Sequence, residues 1–237
     1  MNTRRKFLIQ GSMATTAMFA LNPLTSIARV ASTFTGPGGS NSQLLFLHTA
    51  NMISPGDYPA IKFIKEIKNN NTNAILLKAG QDVQEETGRL TYDVSIHGSD
   101  DLSAMTGDYK IINKGNLRTG IISAKMGESD IIEKINTLST YLKKEKNCSI
   151  VVCLSQLGYK NKNTTDDITL ADKSTHLDII IGGHVKNFQK NPVIALNRNN
   201  SEVIIHSASG DPFACGIIKI DFDGQGRKKL IGFTDQS

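Results

Sequence analysis

Leu177-Asp178-Ile179-Ile180-Ile181-Gly182-Gly183-His184 decides the fold of this chain. An unbroken β-branched run bounded by turn residues reads as a strand buried on both faces. Upstream, Ser149 to Leu154 is a second such run, followed by Ser155-Gln156-Leu157-Gly158, a polar loop and a short helix near Asp166 to Asp172. In open α/β sheets ligands bind beyond the carboxyl ends of the strands, so the residues just after each run are the candidates for chemistry.

The same alternation extends outward in both directions. Asp130 to Lys144 is an amphipathic helix with Ile131, Ile135, Leu138 and Leu142 on one face and Ser129 available as N-cap. Tyr109 to Asn113 and Leu117 to Ala124 flank Gly115-Asn116 as a hairpin. Further back lie strands at Leu44 to Leu47, Ala74 to Leu77 and Tyr92 to Ile96. A helix from Pro59 to Lys68 carries Ile61, Ile64 and Ile67 at three-residue spacing. Toward the other end, Val193–Leu196, Val203–His206, Cys215–Phe222 and Leu230–Phe233 read as antiparallel strands. The expectation is one α/β domain over residues 43–237 with a β-rich last third and no internal repeat.

Residues 1–28 read as a targeting segment. A basic start, Thr3-Arg4-Arg5-Lys6-Phe7-Leu8, precedes a diluted apolar stretch and the small residues Ser26-Ile27-Ala28, and the paired arginines before Phe-Leu look like a twin-arginine export signal. Residues 29–42 are small, polar and Gly-rich, a flexible leader. Periplasmic or secreted localisation follows as an expectation. The net charge of +5 falls to +2 without residues 1–28, which hold three basic side chains and no acidic one. No basic stripe with interleaved aromatics remains, so nucleic acid is not an expected partner. No apolar run of spanning length follows the targeting segment. Cys148, Cys153 and Cys215 read as buried small apolar residues, with a Cys153–Cys215 bridge the alternative.

Strand-His-Thr, strand-Ala-Gly, Tyr-Asp-x-x-x-x-Gly, Gly-Ile-Ile, Leu-Ser-x-Leu-Gly and Asp-Ile-Ile-Ile-Gly-Gly-His follow one another from Leu44 to Phe222. That order resembles the metallophosphatase domain of the 5′-nucleotidase / 2′,3′-cyclic phosphodiesterase family. The resemblance implies a four-layer α/β/β/α sandwich with two mixed sheets flanked by helices. It also implies two divalent metals (zinc, manganese, cobalt or similar) that polarise a phosphoryl oxygen and generate a hydroxide.

This chain departs from the family at the ligand positions. The motif His-Thr-Asn-Asp-x-His reads His48-Thr49-Ala50-Asn51-Met52-Ile53, so a charged ligand becomes the amide of Asn51 and Ile53 has no donor. The bridging Asp becomes Gln81, with Asp82 one residue away. Gly-Asn-His-Glu/Asp becomes Gly98-Ser99-Asp100-Asp101, which puts Asp100 where the family has its catalytic histidine. Gln156 stands for the His of Leu-Ser-His-Leu-Gly, and Lys186 for the second His of Gly-Gly-His-x-His, where His184 is kept. An ammonium at position 186 repels a nearby dication.

His184 and Asp82 remain as metal-ligand candidates for no metal or one, against a loop histidine bonded to backbone. His48 reads as structural, while His97 and His206 lack partners nearby in sequence. Asp100-Asp101 reads as a cation site or a solvated acidic pair, and Lys186, Arg89 and Lys78 as an anion site left by metal loss. Three functions follow. The first is an impaired member of the fold acting as a binding or partner protein, for instance with a separately encoded nucleotidase subunit. The second is an active phosphohydrolase rebuilt on Asp82, His97, Asp100, Asp101 and His184. The third is a nucleotide or phosphate binding module.

Overall fold

A computed structural model describes residues 43–49, 58–80, 90–96, 108–161, 164–183, 192–207 and 215–236. In chain order these form β1 (Gln43–Thr49), α1 (Tyr58–Asn70), β2 (Ala74–Lys78), β3 (Val94–Ser95), β4 (Tyr109–Lys114), β5 (Leu117–Ala124), α2 (Ile131–Lys144) and β6 (Ile150–Ser155). They continue with α3 (Asp167–Lys173), β7 (Ile179–Gly182), β8 (Val193–Leu196), β9 (Glu202–Ser207), β10 (Cys215–Phe222) and β11 (Lys228–Gln236). One sheet has the order β11-β10-β1-β2-β3 and the other β4-β5-β6-β7-β9-β8. Both are mixed: β1-β2-β3 and β5-β6-β7-β9 run parallel, and β10, β11, β4 and β8 pair antiparallel.

The continuous apolar runs are explained by three core layers. Leu44 and Phe46 of β1 face the gap between the sheets, with Ile75, Leu77, Val152, Leu154, Ile179, Ile181 and Ile218. Leu45 and Leu47, one residue out of phase, pack outward with Ile64 and Ile67 of α1. Val151, Cys153 and Ile180 pack against Ile131, Ile135 and Leu142 of α2 and Leu170 of α3. Strands apolar on both faces are what a helix–sheet–sheet–helix stack requires, and the expected four-layer α/β/β/α architecture is the one the chain adopts.

The two sheets repeat one polar device at the amino ends of their parallel strands. Asp93, just before β3, accepts the Leu76 amide at 2.8 Å and pairs with Lys68 of α1 at 2.9 Å. Asp178, just before β7, accepts the Val151 amide at 2.9 Å and pairs with Lys143 of α2 at 2.7 Å. Lys228 of β11 adds a contact to Asp178 at 3.3 Å, tying one sheet to the other.

Three expectations are corrected. In the last third β8–β9, β10–β11 and β10–β1 pair antiparallel as expected, but β9 also joins β7 in parallel, and β10 and β11 lie in the other sheet. Covering the apolar faces of β7 and β1 draws these strands into the existing sheets, with Ile218 and Ile220 of β10 entering the intersheet layer. At α2 the N-cap is Asp130, not Ser129; it sits in left-handed conformation (φ 56°) and makes no side-chain capping bond. The strand around Tyr92 to Ile96 shortens to Val94–Ser95, because the Asp93 side chain is spent on the Leu76 amide.

Candidate functional site

The carboxyl ends of four strands meet across the intersheet gap. His48, the last inward-facing residue of β1, reaches His206, its counterpart on β9. Their Nε2 and Nδ1 atoms lie 2.7 Å apart with the rings edge to face. Beside them, Gly183 at the end of β7 presses on Ala79 at the end of β2. A Cβ on Gly183 would stand 1.9 Å from the Ala79 carbonyl oxygen, so only glycine fits. Since β1 neighbours β2 and β7 neighbours β9, the two contacts are adjacent.

Both histidines have no exposed surface. Burial, and then the charge of His206, hold the His48 imidazole well below its ordinary pKa. His48 is therefore neutral near pH 7, and the short contact carries one proton between the facing nitrogens. Its ring is accommodated by Gly216 of β10, where a Cβ would fall 2.2 Å from His48 Nε2.

A second buried group lies on the outer face of the same strand ends. Ser155, ending β6, donates to Asp167 Oδ1, and the Leu157 amide donates to Ser155 Oγ at 3.1 Å. The other oxygen, Asp167 Oδ2, has no hydrogen-bond partner. A Cβ on Gly182 would lie 3.1 Å from that oxygen and 2.9 Å from Ser207 Oγ, which explains the first glycine of the pair. Burial pushes the Asp167 carboxyl up to about 7, against the Ser155 hydrogen bond, which lowers it. Asp166 instead caps α3, accepting the Thr169 amide at 2.7 Å.

Of the sequence candidates, His48, Lys78, Gln156 and His206 lie in the described residues. His206, which has no partner nearby in sequence, is buried and meets His48, 158 residues away, through the packing of the two sheets. Both occupy the last inward-facing position of their strands, but no local signal in the sequence pairs them. Lys78 is buried on the outer face of its sheet with its ammonium 5.5 Å from the centre of the Tyr92 ring. Gln156 follows β6, its amide bonded to the Ala124 carbonyl at 2.9 Å and its side-chain Nε2 buried with no hydrogen-bond partner. Asn51, Ile53, Gln81, Asp82, Arg89, His97, Ser99, Asp100, Asp101, His184 and Lys186 lie outside the described residues, in segments that follow β1, β2, β3 and β7.

Asp167 and Ser207 were not distinguishable in sequence, since a helix-start Asp and a strand-end Ser are both ordinary. Among the described residues no group of three or more His, Cys, Asp or Glu side chains is arranged to hold a metal ion. Cys148, Cys153 and Cys215 are buried free thiols; Cys153 and Cys215 belong to opposite outer layers, so no bridge joins them. Among the described residues no helix is long and apolar enough to cross a membrane.

No family model and no curated protein sequence matches the chain. Solved structures do. A 5′-nucleotidase precursor from Thermus thermophilus aligns with TM-score 0.61 and 16% identity, over 81% of this chain and 54% of that one. An NAD nucleotidase from Haemophilus influenzae aligns with TM-score 0.59 and 14% identity, over 81% and 49%. A hypothetical protein from Thermus thermophilus aligns with TM-score 0.53 and 12% identity, over 82% of this chain and 98% of that one. The chain thus has the fold of 5′-nucleotidases and other metallophosphoesterase-like proteins, and its match spans about half the length of the two nucleotidases.

Proposed function

We propose that this chain is an exported, catalytically impaired protein on the metallophosphoesterase-like scaffold, acting as a binding or partner subunit through the cleft at its strand ends. The observation that carries this is Gln156. At the end of β6, where the resemblance calls for an imidazole, a carboxamide stands with its buried Nε2 unpaired; its one donor atom for a cation is a neutral amide oxygen, a poorer ligand for zinc-like metals than an imidazole nitrogen. Asn51, Ile53, Gln81, Ser99 and Lys186 extend the same chemistry, replacing carboxylate and imidazole donors by neutral, apolar or cationic groups. His48 and His206 direct ring nitrogens at each other, so this donor set does not fit a pair of dications.

The two solved nucleotidases carry roughly as much chain again beyond the aligned part. A separately encoded nucleotidase subunit is the partner we propose for such a binding protein. The Thr3 to Leu8 motif supports export through the twin-arginine route, residues 29–42 acting as leader to the domain.

The test is metal content together with turnover. Purified protein is supplied with manganese, zinc or cobalt and assayed on nucleoside monophosphates and cyclic phosphates. The expected result is less than one tightly held ion per chain and no turnover. Two ions with turnover overturn the proposal and establish a rebuilt site on Asp82, His97, Asp100, Asp101 and His184. Nucleotide bound without metal identifies a binding module.

A further inference from the structure

We propose that Arg118, Lys146 and Tyr141 form a binding site for a small phosphate-class oxyanion at the amino end of β5, at the opposite end of the strands from the His48–His206 contact. The site requires neither metal nor turnover, so it stands or falls apart from the function proposed above.

Close approaches in the backbone build it. Gly120 lets the last turn of α2 settle on β5: a Cβ there would lie 2.8 Å from Leu142 Cδ1. Past α2 the amides of Glu145 and Lys146 both donate to the Tyr141 carbonyl, at 2.8 and 3.1 Å, and that of Cys148 donates to the Leu142 carbonyl at 2.9 Å. Asn147, in left-handed conformation (φ 52°), turns the chain back. The Ser149 amide then donates to the Arg118 carbonyl at 2.8 Å, which fixes the helix end to the start of β5. Lys146 Nζ lies 5.1 Å from the centre of the Tyr141 ring and within hydrogen-bonding reach of its hydroxyl. The Tyr109 ring of β4 stands 5.7 Å from that of Tyr141, tilted by 60°.

This arrangement leaves positive charge unbalanced. Arg118 Nε is buried with no hydrogen-bond partner, and among the described residues no ion pair includes Arg118. Lys146 and Arg118 lie close enough to repel each other. Lys143 is already spent on Asp178 and on the Ser149 carbonyl, each at 2.7 Å. Glu145 is the one carboxylate among the described residues that acts strongly on the cluster, through Tyr141, and Lys144 beside it carries the opposite charge. A buried guanidinium N–H calls for an acceptor, and two cations held together by backbone bonds call for an anion.

The donor set selects the anion. A guanidinium offers a planar fork of N–H groups and an ammonium adds donors from another direction. A phosphate dianion has oxygens for both and charge to match both, whereas a carboxylate matches only one. Lys146, and then Tyr109, hold the Tyr141 phenol below its ordinary pKa, which makes its hydroxyl a better donor to a further oxygen.

The test titrates inorganic phosphate into the full, isotopically labelled chain at pH 7 and constant ionic strength, with chloride as the screening control. Saturable shifts are expected at Arg118 Nε and at the amides of Tyr109, Tyr141, Lys146 and Cys148. Arg118→Gln and, separately, Lys146→Gln should each weaken binding about tenfold or more, the loss of one charge-assisted bond. Lys65→Gln, on the exposed face of α1, should leave it unchanged. Lys146 is a partly exposed side chain past the helix end, so Lys146→Gln carries the test if Arg118→Gln does not fold. Shifts that chloride reproduces, or that fall instead at the carboxyl ends of the strands, overturn the site. So does affinity unaltered by Lys146→Gln, or acetate bound as tightly as phosphate.

Discussion

Ser155 at the end of β6 donates its hydroxyl to Asp167 in the first turn of α3, and neither residue has any exposed surface. The bond fastens the helix onto the strand ends from outside, while His48 and His206 fasten the sheets to each other from inside. Each tie contains a buried group whose protonation differs from that in the unfolded chain.

Asp167 makes stability fall as pH rises. Its folded pKa of about 7 exceeds the ordinary value of 3.8, so the folded state holds the extra proton between those values. The stability this contributes is complete below 3.8 and is lost as pH climbs through about 7, at no more than about 1.4 kcal/mol per pH unit. His48 acts oppositely: its folded pKa is lowered, so stability falls as pH drops below 6.5. Asp167→Asn removes the first dependence alone. Chemical denaturation at pH 5, 6, 7 and 8 should show the variant gaining on the wild type with each step, and a constant difference would refute the assignment.

Gly216→Ala tests the notch beside His48. The added methyl would lie 2.2 Å from Nε2 and 2.8 Å from His206 Cε1, so rings or backbone must move. A loss of about 1–3 kcal/mol in urea denaturation is expected. Gly224→Ala, where a Cβ meets nothing within 4 Å, should be close to neutral.

The aspartate device at the amino ends predicts an ordered pair of losses. Asp178→Ala leaves the Val151 amide without its acceptor and takes the charged partner from Lys143 and Lys228, which keep only backbone carbonyls; about 1–3 kcal/mol should be lost. Asp93→Ala removes one amide bond and one more exposed pair, and should cost less. Equal or reversed losses in matched thermal unfolding would contradict this ordering.

Restoring the family's ligand types should restore metal affinity if substitution is what abolished it. A variant combining Asn51→Asp, Ile53→His, Gln156→His and Lys186→His is expected to be stabilised by zinc or manganese. At a hundredfold excess over Kd the gain is about 2.7 kcal/mol, read as a metal-dependent rise in Tm absent from the wild type. No rise in the variant would place the loss of metal elsewhere than in these side chains.

Much of the scaffold was legible because its strands are apolar on both faces and its helices on one. Leu44 to Leu47, Ala74 to Leu77 and Ile179 to Ile181 are visible as runs, and α1 and α2 as three- and four-residue spacing. Strand order was not legible. Nothing local in Val203 to His206 says that it pairs in parallel with β7, or in Cys215 to Phe222 that it lies beside β1. Both placements are set by which apolar face is left to cover. The candidate site divides the same way: Gln156 could be located by motif, whereas the His48–His206 pair could not.

By itself the sequence determined the alternation of buried strands with amphipathic helices and the residue types at each strand end, since hydrophobic period and side-chain chemistry are local properties; the four-layer order was an expectation from the family resemblance. Only the tertiary structure decided which strand ends face each other. That depends on packing two sheets over one intersheet core, which brings His48 within 2.7 Å of His206 and Gly183 onto Ala79. Burial, not neighbouring sequence, then turns an ordinary histidine and an ordinary aspartate into groups with displaced pKa values.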